Sequence, residues 1–276
     1  LNDRFEVFAG TSIGAVVGGL YLAGHLRELE DWARSLTPRR LFGFLDINWG
    51  GNSLIGGERL ARLLREYLGD RCIETLTSPF VAVATELGTG NEYWMRIGTM
   101  VDALRASYAL PGVFAPVSMD GRWLVDGALV NPCPTSVARA IGGRFVIGVS
   151  LHSDHYGRTG AHPSGAGQID LGERDERGWP STIAGLSPDR LLLRKLFGAA
   201  GGKPPLTSTM LSALNILLDR VSRARLAGDP PDVLIAPRVG HLGLLDFHRA
   251  AEMIALGEAA TDAVLPEIEE RLALLS

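Results

Sequence analysis

The sequence predicts an α/β protein, a sheet with helices packed on both of its faces. Three observations carry that prediction. Short apolar runs of strand length alternate with stretches of helical period. A strand-like run, a glycine-flanked serine turn and a helical stretch follow one another between Phe5 and Leu22. The chain of 276 residues is 46% apolar and 21% charged, which supports a sizeable core and argues against extensive disorder.

The elements follow in order. Phe5 to Ala9 is an apolar run that reads as a buried strand, and Ala15 to Leu22 reads as a helix. Leu60, Leu63, Leu64, Tyr67 and Leu68 recur at helical spacing after Gly56-Gly57-Glu58, and Gly69 is placed to cap that helix. Phe80 to Thr85 is a second strand. Asn91 to Ile97 is a third, joined to it by the turn Gly88-Thr89-Gly90. Trp123 to Val125 leads into Asp126-Gly127, and Arg144 to Val149 is a further buried-strand candidate.

Composition shifts after Leu151. The stretch 153–205 is rich in Gly, Pro, Ser and charge and reads as a flexible insertion in a single domain spanning 1–276, with a short helical piece at Asp189 to Phe197. A helix is expected from Thr207 to Leu226, with Met210, Leu214, Leu217, Leu218 and Val221 as an apolar stripe. Arg220, Arg223 and Arg225 gather at its C-terminal end, where the helix dipole favours cations. Val233 to Ala236 is a late strand, and the segment from Phe247 onward is helical with a break expected near Pro266.

The net charge of −4 argues against a nucleic-acid partner, which needs a basic face. A local basic patch remains compatible with peripheral contact to an anionic membrane. Two cysteines, Cys72 and Cys133, make neither a disulfide framework nor a zinc site, so the chain reads as cytoplasmic or peripheral to the inner membrane surface. The longest apolar stretch, Ser12 to Gly24, is too short and glycine-rich to cross a bilayer. Leu1 rather than Met opens the chain, and we expect native sequence upstream of it.

Gly10-Thr11-Ser12-Ile13-Gly14 carries the chemistry first. A nucleophile elbow needs a serine on a sharp turn between strand and helix, with small neighbours that let the turn form and the helix pack closely. The serine then faces the positive end of a helix, and the N–H of the following residue, Ile13, is placed to bond a developing oxyanion. The plainer alternative is a glycine-containing strand-to-helix turn with an incidental serine. The second motif is Asp126-Gly127-Ala128 at a strand end, either an acid projecting into a cleft or an ordinary Asp-Gly turn.

Taken with the segments around them, these motifs resemble the patatin-like phospholipase family, in the bacterial branch similar to the neuropathy-target-esterase catalytic domain. The matching pieces, in order, are the following. Gly10 to Gly14 is the elbow, Leu54 to Leu60 opens a helix, and Ala82 to Thr85 is a core strand. Ala106 to Pro116, Leu124 to Pro132 and Pro231 to Pro237 complete the set. The resemblance implies a three-layer α/β/α fold with a mainly parallel central sheet. It also implies a serine acyl-ester hydrolase acting on phospholipid, lysophospholipid or related fatty-acyl esters through an acyl-enzyme. Ser12 would be the nucleophile and Asp126 its base, a Ser-Asp dyad with Ile13 as backbone oxyanion donor and Gly10 and Gly14 as elbow glycines. No metal or organic cofactor is implied, and the oligomeric state is left open. The family's first strand and glycine-rich oxyanion loop precede the elbow. They would therefore lie upstream of Leu1, and the present chain alone is expected to be poorly stable and nearly inactive.

Other readings stay open at this level. His241 or His248 would complete a Ser-Asp-His triad in the α/β-hydrolase order, or both are surface or helix-start residues. His152, Asp154 and His155 have metal-ligand spacing but no third strong ligand, so incidental surface residues explain them better. Trp32, Phe42, Phe44 and Trp49 either line a lipid cleft or pack under the sheet. The rival to an enzyme is a non-catalytic patatin-like domain that binds lipid or protein.

Overall fold

The structure, a computed structural model, describes residues 5–37, 58–152, 206–243 and 246–275. Strand β1 (Phe8–Thr11) feeds α1 (Ile13–Leu22) and α2 (Leu26–Arg34). After α3 (Glu58–Leu68) come β2 (Phe80–Glu86), β3 (Glu92–Met95), α4 (Met100–Ser107), β4 (Val117–Met119) and β5 (Arg122–Asp126). Then follow α5 (Thr135–Ala140), β6 (Ile147–Val149), α6 (Leu206–Gly228), β7 (Val233–Ile235) and α7 (Ala250–Ala273).

The main sheet runs β1-β2-β5-β4, with β3 also paired to β2. β1 and β2 are parallel, with Thr11 opposite Val83, as a helical crossover between them requires. The β2–β3, β2–β5 and β4–β5 pairs are antiparallel. The Glu86–Asn91 and Asp120–Gly121 turns are too short to permit anything else for β2–β3 and β4–β5. A second sheet pairs β6 with β7 in parallel, again across a long connection that includes α6. The α/β architecture implied by the resemblance is present, with β1–β2 and β6–β7 parallel in two separate sheets and the β2–β3, β2–β5 and β4–β5 pairs antiparallel.

β2 explains the layering. Its Phe-Val-Ala-Val-Ala-Thr run is buried on both faces. Ala82 and Ala84 face a large cluster with Ala15, Val16 and Leu20 of α1, Leu64 of α3 and Leu104 of α4. Val81 and Val83 face the other way, onto Val137 of α5. A strand covered twice has no need of polar alternation, which is why it reads as a continuous apolar run. Trp32 joins the larger cluster as a partly buried neighbour, whereas Phe42, Phe44 and Trp49 lie outside the described residues.

Several expected boundaries move. β1 begins at Phe8 rather than Phe5, and β3 is confined to Glu92–Met95. Gly69 does close α3, with φ of 55°. The expected break at Pro266 does not occur: α7 runs through it from Ala250 to Ala273. Proline frees the carbonyl four residues earlier, that of Asp262. Both residues are exposed, so that oxygen is open to water, while buried Ile268 anchors the next turn. The expected apolar stripe of α6 is also corrected. Leu218 is buried, but Met210 and Leu217 are exposed, and the buried face carries Asp219 and Ser222 instead. The 153–205 insertion and its helical piece lie outside the described residues.

Candidate active site

Ser12 occupies the turn between β1 and α1 with φ 55° and ψ −124°. A non-glycine residue at positive φ is strained, and such strain collects at functional turns. The turn closes because position 10 has no side chain. A Cβ on Gly10 would stand 2.6 Å from the Ala15 backbone, so glycine alone lets the helix fold back over its strand. Gly14 differs from the expectation. It is in ordinary helical conformation, and a Cβ there would meet nothing within 4 Å among the described residues.

Asp126 ends β5 and begins a short 3₁₀ turn, Gly127–Leu129. Its side chain is 1% exposed, and its two oxygens have different work. Oδ1 accepts the Ala128 N–H at 2.8 Å, fixing the carboxylate plane. Oδ2 accepts the Ser12 hydroxyl at 2.6 Å. The structure therefore brings together the two residues that the sequence singled out, 114 positions apart. Gly127 is demanded by close approach: a Cβ there would collide with the Val83 carbonyl and press on Thr11. The Asp-Gly pair is thus the place where β5 leaves the sheet directly over β2.

Burial pushes the Asp126 carboxyl up from 3.8 to about 6, and the hydrogen bonds from Ser12 and Ala128 hold it from rising further. A carboxylate so placed is a stronger base than a solvated one while remaining ionised at neutral pH.

Ser12 is half-buried, while Ile13 and Val17 on the same helix are 45% and 41% exposed. The Ile13 N–H, first amide of α1, has no hydrogen-bond acceptor among the described residues, as expected for a helix N-terminus. The Ser12 N–H is already engaged, donating to Ser107 Oγ at 2.9 Å.

Sequence reading missed four residues that frame this geometry. Thr11 donates through Oγ1 to the Asn131 carbonyl at 2.8 Å, and the Asn131 N–H donates to the Gly127 carbonyl at 2.9 Å. Thr85 donates to the Asp126 carbonyl at 2.9 Å, and the Asp126 N–H reaches the Ala109 carbonyl. All of Thr11, Thr85, Ser107 and Asn131 are buried. The available signal was polarity inside apolar segments, as in Val-Ala-Thr and Ala-Ser-Tyr-Ala-Leu, but such residues carry no periodicity that names a partner.

The histidines stand apart from this pair. His241 Nε2 is 2.8 Å from Glu252 Oε1, and His248 lies in the short turn before α7. Neither has a hydrogen bond to Ser12 or Asp126 among the described residues. Asp154 and His155 lie outside the described residues, and among those described no group of three acidic, His or Cys residues is placed to hold a metal. A recess of about 330 Å³ between α4 and β4, lined by Asp102, Arg105, Pro116 and Met119 among others, includes neither Ser12 nor Asp126.

Comparison with known proteins bears on this arrangement. The family model described as patatin-like phospholipase matches residues 1–139, which contain both Ser12 and Asp126. An uncharacterised NTE family protein of Mycobacterium tuberculosis is 31% identical over 95% of this chain and 83% of its own length. A second from the same organism is 29% identical over 94% of this chain but only 41% of its own length. Mouse patatin-like phospholipase domain-containing protein 6 is 30% identical over 54% of this chain and 11% of its own. Family, segment order and relatives agree, and the chain belongs to the patatin-like phospholipase family, a family of lipid hydrolases, with NTE family proteins among its relatives.

Proposed function

We propose that this protein hydrolyses fatty-acyl esters, of phospholipid or lysophospholipid type, with Ser12 as nucleophile and Asp126 as its base. The observation that carries the reading is the 2.6 Å hydrogen bond from the Ser12 hydroxyl to a buried carboxylate oxygen. Ser12 Oγ attacks the ester carbonyl carbon while its proton passes to Asp126 Oδ2. The carbonyl electron pair moves onto oxygen, where the Ile13 N–H at the start of α1 stabilises the negative charge. Collapse breaks the ester C–O bond, and the leaving alkoxide takes the proton from Asp126. Water then attacks the acyl-Ser12 ester and gives its proton to Asp126. Ser12 Oγ departs with that proton, releasing the fatty acid.

Two features support an acyl substrate. The Asp126 carboxyl, raised to about 6, combines basicity with ionisation at neutral pH. Ile13 and Val17, one helical turn apart beside Ser12, offer exposed apolar surface to an acyl chain or to the membrane that holds it. No described helix is long and apolar enough to cross a membrane.

The test is covalent labelling of the full-length protein with a fluorophosphonate probe, together with turnover of p-nitrophenyl butyrate. Wild type should label and turn over. Ser12→Ala should remain folded, fail to label and lose activity by at least ~10³-fold. Turnover retained by folded Ser12→Ala would overturn the assignment.

A further inference from the structure

We infer that Ser107 is a positioning residue for Ser12, its hydroxyl extending the β1–β2 hydrogen-bond ladder one step beyond Thr11 and holding the strained turn toward Asp126. The inference rests on the proposed Ser12–Asp126 pair and adds a residue that touches neither substrate nor proton. β1 ends at Thr11, opposite Val83. Beyond that point the backbone turns away from the sheet, with Ser12 at φ 55° and ψ −124°. The next link is made through a side chain. The Ser12 N–H donates to Ser107 Oγ at 2.9 Å, and the Ser107 hydroxyl donates to the Val83 carbonyl at 2.7 Å.

The direction of these bonds is forced. A backbone N–H can only donate and a carbonyl can only accept, so the single Ser107 proton must point at Val83. The hydroxyl has no rotational choice left and acts as a fixed one-atom spacer between strand and elbow. Ser107 is the last residue of α4 and is fully buried, between buried Ala106 and Tyr108. Its position is therefore set by the core rather than by the turn it restrains.

Removing the hydroxyl leaves the Ser12 N–H and the Val83 carbonyl without their partner at the one residue whose backbone is strained. The turn then relaxes, and Ser12 Oγ drifts from Asp126. Misplacement on the scale of 1 Å costs on the order of 10²-fold in rate, and it acts on the chemical step more than on binding. It also has a titration signature. The bond from Ser12 holds the Asp126 carboxyl down, so loosening it should move the acid limb of the rate profile upward from about 6. Desolvation and the Ala128 N–H, the other influences on that carboxyl, are left in place.

The experiment compares wild type, Ser107→Ala, Ser107→Cys and Thr135→Ala in the full-length protein. Thr135→Ala removes the hydroxyl bond of another buried residue, a part-buried one to the Asp229 carbonyl at 2.7 Å, and serves as a control for general loosening. Steady-state hydrolysis of p-nitrophenyl butyrate is measured across pH, with thermal unfolding alongside. For Ser107→Ala we expect kcat to fall about 10- to 100-fold with KM little changed, and the acid limb to move up. Ser107→Cys, which is slightly larger and keeps a weak donor and acceptor, should lie between, and it carries the test if the alanine variant does not fold. Thr135→Ala should keep the wild-type limb. If folded Ser107 variants show the kcat and acid limb of wild type, or lose no more rate than Thr135→Ala, the inference is overturned. Activity surviving in Ser12→Ala would instead remove the Ser12–Asp126 reading itself.

Discussion

The elbow and the β6–β7 region use polar groups in opposite ways. Around Ser12 and Asp126 they are few, buried and uncharged apart from the carboxylate: the hydroxyls of Thr11, Thr85 and Ser107 each bond a backbone carbonyl across long sequence separation. Around β6 and β7 charged, half-exposed groups are added to the buried Ser150–Ser222 hydroxyl pair. Arg139 contacts Asp229, Asp232 and the Pro230 carbonyl, and Arg271 reaches the Asp232 carbonyl. A buried hydroxyl has one permitted geometry and loses much if that geometry fails. A half-exposed ion pair is screened by water and can re-form elsewhere. The first arrangement fixes a position and the second mainly keeps two elements adjacent.

The sharpest probe of that contrast is Asp126→Asn. Activity should fall nearly as far as in Ser12→Ala, because an amide cannot take the serine proton, while His241→Ala and His248→Ala should cost little. Stability should move the other way. The folded carboxyl titrates near 6 and the unfolded one near 3.8, so the folded state keeps its proton longer. Wild-type stability therefore falls as pH rises through that window, and the loss is complete above it. The asparagine variant escapes this loss. Its stability relative to wild type should increase between pH 4 and pH 7 by about 2 kcal/mol, the part of a shift of roughly two pH units, at 1.36 kcal/mol each, that falls in that interval. Denaturant melts at the two pH values check this, and a gap independent of pH would show that burial at the elbow is not as costly as argued.

A smaller effect is expected from the turn itself. Ser12→Gly and Ser12→Ala both delete the hydroxyl, but only glycine accepts φ 55° without strain. The glycine variant should be the more stable by about 1 kcal/mol in chemical denaturation. Equal stability would mean that the turn stores no strain. The smallest effect belongs to the other region: Arg139→Ala should cost under about 1 kcal/mol and leave ester turnover unchanged. A larger loss, read from the same melts, would erase the distinction between the two regions.

Much of the fold was legible because periodicity reports burial. β2, α1 and α3 sit close to where apolar spacing placed them, since one buried stripe or one doubly covered strand leaves its mark on every residue. α6 and α7 were legible as helices but not in detail. The spacing of Met210, Leu214, Leu217 and Leu218 does not reveal that Met210 and Leu217 face outward, because amphipathic pattern says which residues share a face and not what covers it. Pro266 was misjudged for a related reason: whether a freed carbonyl breaks a helix depends on whether water can reach it.

The sequence by itself determined the alternation of strand and helix, the serine turn with its obligatory Gly10, and an acid followed by glycine at a strand end. These are local properties, set by what one short stretch of backbone can adopt. Only the tertiary structure decided that Ser12 and Asp126 meet at 2.6 Å, that the carboxyl is driven to about 6, and that Gly127 is needed because β2 lies against it. Those outcomes depend on β1 and β5 flanking the same strand, and no spacing along the chain encodes which strand lies between two others. Ser107 belongs to the same class. Its one hydroxyl became specific only when the core carried the end of α4 to the place where the ladder of β1 runs out.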